Sequence, residues 1–168
     1  FSDRVLKEHC LDLPPKTYIE RQVELTDEQS KAYATMKSAA LASLKGKMAT
    51  APHILTQLMR LHQITCGHLK NDDDSITEIK NNRINSLIEL LEEVEGKVII
   101  WANYVYDIKQ IVAAITKKYG EHSIVQYYGA IPADVRQKNI EKFQDPKSTV
   151  RFFIGNPQTG GYGITLTE

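Results

Sequence analysis

Apolar and polar positions along the 168 residues fall into two textures. From Thr17 to Leu25 (TYIERQVEL), β-branched or apolar residues alternate with charged ones, the period-two pattern of a half-buried strand. Thr26-Asp27-Glu28-Gln29 then reads as a capping box, in which the Thr26 hydroxyl accepts from the third amide while Gln29 reaches back. It predicts a helix running towards Leu44 and stopped near Gly46. A second helix is predicted after Pro52, carrying Ile54, Leu55, Leu58, Leu61, His62 and Thr65 to a stop at Gly67. Residues 70–75 (KNDDDS) are polar and turn-like.

Beyond residue 80 helices and strands alternate. A helix over 82–95 precedes a strand at 97–102 (KVIIWA), whose continuous apolar run suits burial on both faces. A helix over 105–118 is closed by Gly120, a strand follows at 123–127, and a helix from 132 to 143 has Pro132 near its first turn. The strand at 149–154 (TVRFFI) runs into GNPQTGGYG. Such alternation with short joins predicts an α/β fold with a central parallel sheet and right-handed crossovers. Ligands meet such sheets at the carboxyl ends of the strands, here Asn103–Tyr104, Tyr128–Ile131 and Gly155–Gly163. The predicted organisation is an entry strand and helical insertion over 1–80 and an α/β core over 81–168, together one domain.

Composition narrows the setting without changing that picture. The apolar fraction of 42% and charged fraction of 25% are those of a globular protein. No apolar run approaches the roughly 20 residues that cross a bilayer, so no membrane partner is expected. Nothing at the start resembles a secretory signal. Two cysteines, Cys10 and Cys66, are too few for a disulfide framework and point to a reducing compartment. The formal net charge of zero argues against a generally basic coat for nucleic acid, although loop amides and hydroxyls also hold a phosphate backbone. The chain opens on Phe1 and closes on Glu168 directly after an apolar stretch, which suggests a piece excised from something longer.

The richest candidate chemistry lies in GNPQTGGYG. Its glycines allow a backbone that approaches a ligand closely and exposes several N–H groups to an anion, and Asn156, Gln158 and Thr159 add neutral donors. The competing reading is a flexible turn with no ligand. A dinucleotide loop is disfavoured because the G-x-G-x-x-G spacing is missing. No Gly-Lys-Ser/Thr occurs anywhere, so the chain has no primary cradle for a nucleoside triphosphate. His62, Cys66 and His68 come close together, yet a zinc site needs four ligands and only His9 and Cys10 stand ready to complete a set. No metal site is expected, and Cys66 reads as a small buried apolar group. Tyr127-Tyr128 offers base stacking, with core packing of Tyr127 the better reading. Asp72-Asp73-Asp74 reads as a solvated turn, and Glu89, Glu92, Glu93 and Glu95 as a solvated helix face.

Five segments in order resemble the second RecA-like lobe of Swi/Snf-family, superfamily-two DNA-dependent ATPases. LPPKTYIERQVELTDEQSKAY is similar to the entry into that lobe, and LTQLMRLHQITCGHL to its helical segment L-x-x-L-R-x-x-C-x-H. NSLIELLEEVEGKVIIWANY resembles the approach to motif IV, with Asn103 in place of Gln. YYGAIPADVRQKNIEKFQ resembles the next block, and FFIGNPQTGGYGITLT resembles motif V, S-T-x-A-G-G-x-G-x-N-L-T. The resemblance implies a RecA-like three-layer α/β/α lobe with an N-terminal helical insertion, cut before motif VI. It implies half of a motor that tracks duplex DNA, with ATP and Mg²⁺ held in the full-length parent and the N-terminal ATPase lobe as partner in cis.

On that resemblance Asn103, Gly129, Arg136, Asn156, Gln158 and Thr159 contact the nucleic-acid backbone, while Gly161, Tyr162 and Gly163 face the nucleotide cleft. Pro157 has no N–H to donate, Thr165 replaces a usual Asn, and Ala130 replaces a usual Ser. Arg136 has a second reading as one half of a helix-surface salt bridge. The fragment alone is expected to be monomeric, to bind no cofactor and to hydrolyse no ATP. Its compact insertion and lack of charged tails point to a bacterial or phage parent and a cytoplasmic setting, or a nuclear one if eukaryotic. The rival reading is a non-catalytic RecA-like module that binds nucleic acid or protein.

Overall fold

A computed structural model of the protein describes residues 17–45, 50–161, 164 and 166. His9, Cys10, Gly46, Tyr162, Gly163 and Thr165 lie outside the described residues.

The capping box forms as the sequence predicts. Thr26 Oγ1 accepts from the Gln29 amide at 3.2 Å, and Gln29 Oε1 accepts from the Thr26 amide at 3.1 Å. Helix α1 (Asp27–Lys45) begins there. Gln29 is only 1% exposed, because its Nε2 also donates to Ile64 O and Thr65 O at 2.9 and 3.2 Å. It therefore joins the start of α1 to the last turn of helix α2 (Ala51–Cys66), which packs along α1. Gly67 ends α2 at φ +89°, and a Cβ there would overlap the Asn81 side chain. Only glycine satisfies both demands.

An antiparallel hairpin follows, with β1 (His68–Lys70) paired to β2 (Ile76–Glu78). The KNDDDS turn closes it through Asp73 Oδ1, which accepts from the Ser75 amide and hydroxyl at 3.0 and 2.6 Å. Strands of three residues are too short to show a period, so this hairpin is absent from the sequence reading. The strand expected at 17–25 is a correction in the other direction. Residues 17–26 have no regular structure, and Tyr18 and Ile19 are 87% and 82% exposed. Their anchors include the Arg21–Glu93 ion pair, a bond from Asn82 Nδ2 to Glu24 O at 3.1 Å and one from Thr26 Oγ1 to Lys80 O at 2.7 Å. Alternation supplies a face for a strand, but a ladder also needs a partner, and none lies beside it among the described residues.

The core runs α3 (Arg83–Glu93), β3 (Val98–Trp101), α4 (Val105–Tyr119), β4 (Ile124–Tyr127), α5 (Ala133–Gln144), β5 (Phe152–Gly155) and the single turn α6 (Pro157–Gly160). The strands are parallel in the order β3-β5-β4, with Val98 and Ile124 both opposite Phe152. Central β5 is buried along its whole length. Phe152 and Ile154 point towards Leu91 of α3 and Ile108, Ile111 and Ile115 of α4, whereas Phe153 points the other way, to Val125, Phe143 and Val150. Helices α3 and α4 thus cover one face and α5 the other, giving three layers. Each such side chain contributes about 1.5–3 kcal/mol through burial.

The expectation that 97–102 is buried on both faces is corrected. β3 and β4 are both edge strands among the described residues, but α5 lies over β4 and leaves that face of β3 open, so Ile99 and Trp101 are 40% and 42% exposed. Arg151, one residue before β5, sits over the rings of Tyr119 and Phe152 and donates to the carbonyls of Leu91, Val94 and Gly96. It fastens the end of α3 to the start of β5. Among the described residues, no helix is long and apolar enough to cross a membrane.

Candidate functional site

The three parallel strands end side by side, and the loops that leave them meet. Ala102 N donates to Gly155 O at 2.9 Å, and Asn156 N donates to Tyr127 O at 3.0 Å, which closes the ladder at its carboxyl edge. Thr159 stands beside Gly129, with its Oγ1 at 3.8 Å from where a Cβ on that glycine would be. The end of β3 therefore brings Asn103, the end of β4 brings Gly129, and the end of β5 brings Asn156 to Thr159 into one rim.

The Gly-rich segment differs from its expected form. An open loop with several free N–H groups was expected, but residues 157–160 make a helical turn whose amides already have acceptors. Gln158 N is bonded to Asn156 Oδ1 at 2.8 Å, and Thr159 N and Gly160 N are bonded to Asn156 O at 3.1 and 3.0 Å. Pro157 at the first helical position has no N–H and needs none there. The cause is Asn156, which caps the turn with its side chain. What the turn offers outward is side chains: exposed Gln158 and half-buried Thr159.

Two glycines make room for an aromatic ring rather than for a ligand. A Cβ on Gly155 would lie 2.8 Å from Trp101 Cζ3, and one on Gly160 would lie 2.5 Å from Trp101 Cη2. Trp101 is the direct cross-strand partner of Gly155 and also meets Phe153 edge-on. Sequence reasoning overlooked this pairing. The available signal was a lone tryptophan ending one strand and a glycine ending another. Gly161 is exposed with φ −73°, and Tyr162 and Gly163 are outside the described residues.

Asn103 is exposed, and its carbonyl accepts from Asn156 Nδ2 at 2.7 Å. Asn156 is 7% exposed. Arg136, in the first turn of α5, lies 5.4 Å over the Tyr127 ring. Its Nε has no partner, and no carboxylate pairs with it among the described residues. The salt-bridge reading of Arg136 thus lacks its acid. Tyr127 stacks on Phe153 at 5.5 Å, so its ring belongs to the core as the sequence favours.

His62 of α2 and His68 of β1 back the same rim through Tyr104. His62 Nδ1 lies 3.0 Å from the Tyr104 hydroxyl. His68, 2% exposed, has its Nδ1 3.1 Å from Asp107 Oδ1, off the axis of a well-formed hydrogen bond, with the Tyr104 and Tyr106 rings at 5.1 and 4.8 Å. Tyr104, which immediately follows Asn103, is held between the two. Cys66 Sγ is 4.0 Å from His62 Nε2, but no three His, Cys, Asp or Glu groups among the described residues converge as a metal site. Burial pushes the Cys66 thiol up to about 11, against the pull of Arg83, so it stays neutral. A cleft of about 470 Å³ lies alongside, lined by Arg21, Arg83, Asp107, Leu87, Leu90 and Ile100. The acidic turn and helix face are paired with surface bases: Asp72 with Arg60, Asp74 with Lys70, and Glu92 with Lys118.

Residues 80–168, just over half of the chain, match the helicase conserved C-terminal domain. The chain belongs to that family. This helicase C-terminal domain is 27% identical over 169 aligned residues to an uncharacterised ATP-dependent helicase of Mycoplasma genitalium, covering 98% of the chain and 16% of that protein. It is 26% identical over 97 residues to the SNF2 domain-containing protein CLASSY 3 of Arabidopsis thaliana, covering 55% of the chain and 7% of that protein. Among solved structures, it superposes on the SWI2/SNF2 ATPase C-terminal domain of Sulfolobus solfataricus with a TM-score of 0.66 at 24% identity, covering 86% of the chain and 64% of that domain. Against the Sulfolobus ATPase core the TM-score is 0.67 at 26% identity, covering 86% of the chain and 31% of the core. The same core solved with double-stranded DNA gives 0.61 at 23% identity, covering 80% and 29%. The helicase C-terminal domain therefore has the RecA-like fold of the SWI2/SNF2 C-terminal lobe. It spans only a small part of its curated relatives.

Proposed function

We propose that this domain is the C-terminal motor lobe of an ATP-dependent translocase or helicase that tracks duplex DNA. The observation that carries the reading is the rim where Asn103, Gly129, Gln158 and Thr159 meet at the carboxyl ends of three parallel strands. These are exposed or half-buried neutral groups on short loops, suited to sequence-independent contact with a phosphate backbone. Arg136 beside Tyr127 adds a nearby cation that has no acid partner among the described residues. The Sulfolobus relative solved with double-stranded DNA supports duplex DNA as the partner.

ATP and Mg²⁺ do not fit the residues described. The chain has no Gly-Lys-Ser/Thr, the amides of Gln158 to Gly160 are spent inside α6, and no set of metal-ligating side chains converges among the described residues. In the proposed cycle the nucleotide belongs to the N-terminal lobe and the cleft between lobes, with Gly161 on the facing side. This lobe grips the strand with its rim as the cleft closes. The test is ATP turnover by the two-lobed parent with and without duplex DNA. Stimulation is expected, and its absence would overturn the proposal in favour of a non-catalytic binding module.

A further inference from the structure

Asn156 touches the ends of all three parallel strands. Its Nδ2 donates to Asn103 O at 2.7 Å and to Ala102 O at 3.3 Å, both beyond β3. Its amide donates to Tyr127 O at the end of β4, and its Oδ1 and carbonyl hold the three amides of α6 after β5. The side-chain amide has one workable orientation. Turned over, it would set an oxygen against two carbonyls and an NH₂ group against an N–H. The residue is buried and its bonding groups are committed to protein partners, so a phosphate has no access to them.

We propose that Asn156 is a positioning residue. It locks the Asn103 loop to the Gln158–Thr159 turn so that both meet one strand of nucleic acid in fixed register. This rests on the reading of the rim as a backbone-contact surface. With the lock in place, the two loops bind as one pre-ordered unit. Without it, each must be ordered separately when DNA arrives.

Two substitutions separate the lock from the cap. Asn156→Ser keeps an oxygen able to cap the Gln158 amide but loses both Nδ2 bonds. Asn156→Asp keeps the cap and opposes two carbonyls with an acceptor. The experiment is anisotropy titration of this chain against a short labelled duplex, with hydrogen exchange over residues 103–104 and 158. Both variants are expected to bind about tenfold more weakly, the ratio that about 1.4 kcal/mol of lost pre-ordering gives. Exchange should quicken at 103–104 and hold at 158. The loss should shrink in an Asn103→Ala background, which keeps the carbonyl that Asn156 holds but removes the side chain the lock positions.

Failure of the unsubstituted chain to bind duplex would remove the functional reading and this inference together. Binding by the unsubstituted chain that neither variant weakens would remove the inference alone. Weaker binding with unchanged exchange at 103–104 would overturn it by making Asn156 a direct contact. Loss of the folding transition in both variants would overturn it by making the residue a requirement of the fold.

Discussion

In residues 26–80 the buried joints are polar. Gln29 ties α1 to α2, Gln63 Oε1 accepts from the Lys70 amide at 3.1 Å, and His68 sets the hairpin against Asp107. The apolar surface there is thin: Ala40, Ile64 and Ile79 are buried, while Leu41, Leu55, Leu58 and Met59 are exposed on the helices. In residues 97–156 the proportions reverse, with a continuous apolar layer on each face of the sheet and Phe152, Phe153 and Ile154 fully buried. Polar joints are directional and few, so they place an element; apolar layers are non-directional and large, so they hold it together. The insertion is therefore placed on a core whose stability comes from elsewhere.

The largest expected effect tests the core half of that contrast. Phe153→Ala removes a ring packed on Trp101, Tyr127 and Phe143, and should cost about 3–5 kcal/mol. Leu58→Ala on α2, with Leu58 57% exposed, should stay within about 0.5 kcal/mol. Urea unfolding followed through Trp101, the sole tryptophan, measures both, and equal losses would break the comparison.

Gly160→Ala comes next. Its new Cβ would sit 2.5 Å from Trp101 Cη2, so the ring or α6 must move, at about 1–3 kcal/mol. A shifted Trp101 emission maximum at low denaturant is the expected sign.

Gln29→Ala sharpens the insertion half. It leaves the Thr26 amide and the carbonyls of Ile64 and Thr65 without this partner, at about 1–3 kcal/mol. Exchange should rise in α1 and the end of α2 while β5 amides stay protected. Uniform loss of protection would mean that the two regions unfold as one unit.

The smallest effect concerns Cys66. Its thiol lies at about 11, above the ordinary 9.0, so the folded chain holds that proton more tightly than the unfolded chain. This contribution is complete below about pH 9 and fades as pH rises towards 11. In a Cys10→Ser background, iodoacetamide should label native Cys66 slowly at pH 8. Cys66→Ala should flatten the alkaline loss of stability, and rapid labelling at pH 8 would contradict the half-buried, neutral thiol.

Particular residues show how far the sequence reached. The capping box at Thr26–Gln29, the Gly67 and Gly120 stops and the alternation after residue 80 were legible, because caps, left-handed glycines and apolar runs are written locally. That alternation also placed Asn103, Gly129 and Asn156 just beyond the carboxyl ends of three parallel strands, where the structure has them. The 17–25 stretch misled, because alternation carries no record of whether a partner strand is present. Ile99 and Trp101 misled for a related reason, since an apolar run does not say how many layers cover it.

The Gly-rich segment marks the boundary most clearly. The sequence by itself determined that a segment of small and amide residues follows a buried strand of a parallel α/β sheet, because composition and periodicity are properties of neighbours along the chain; the RecA-like lobe came from the resemblance of its motifs. Tertiary structure alone decided what those residues do. Trp101 arrives from another strand to claim the space above Gly155 and Gly160, and the Asn103 carbonyl arrives to occupy the Asn156 amide. Contacts between residues some fifty positions apart depend on the parallel register of β3 and β5, and that register is set only when the apolar layers on both sides of the sheet close.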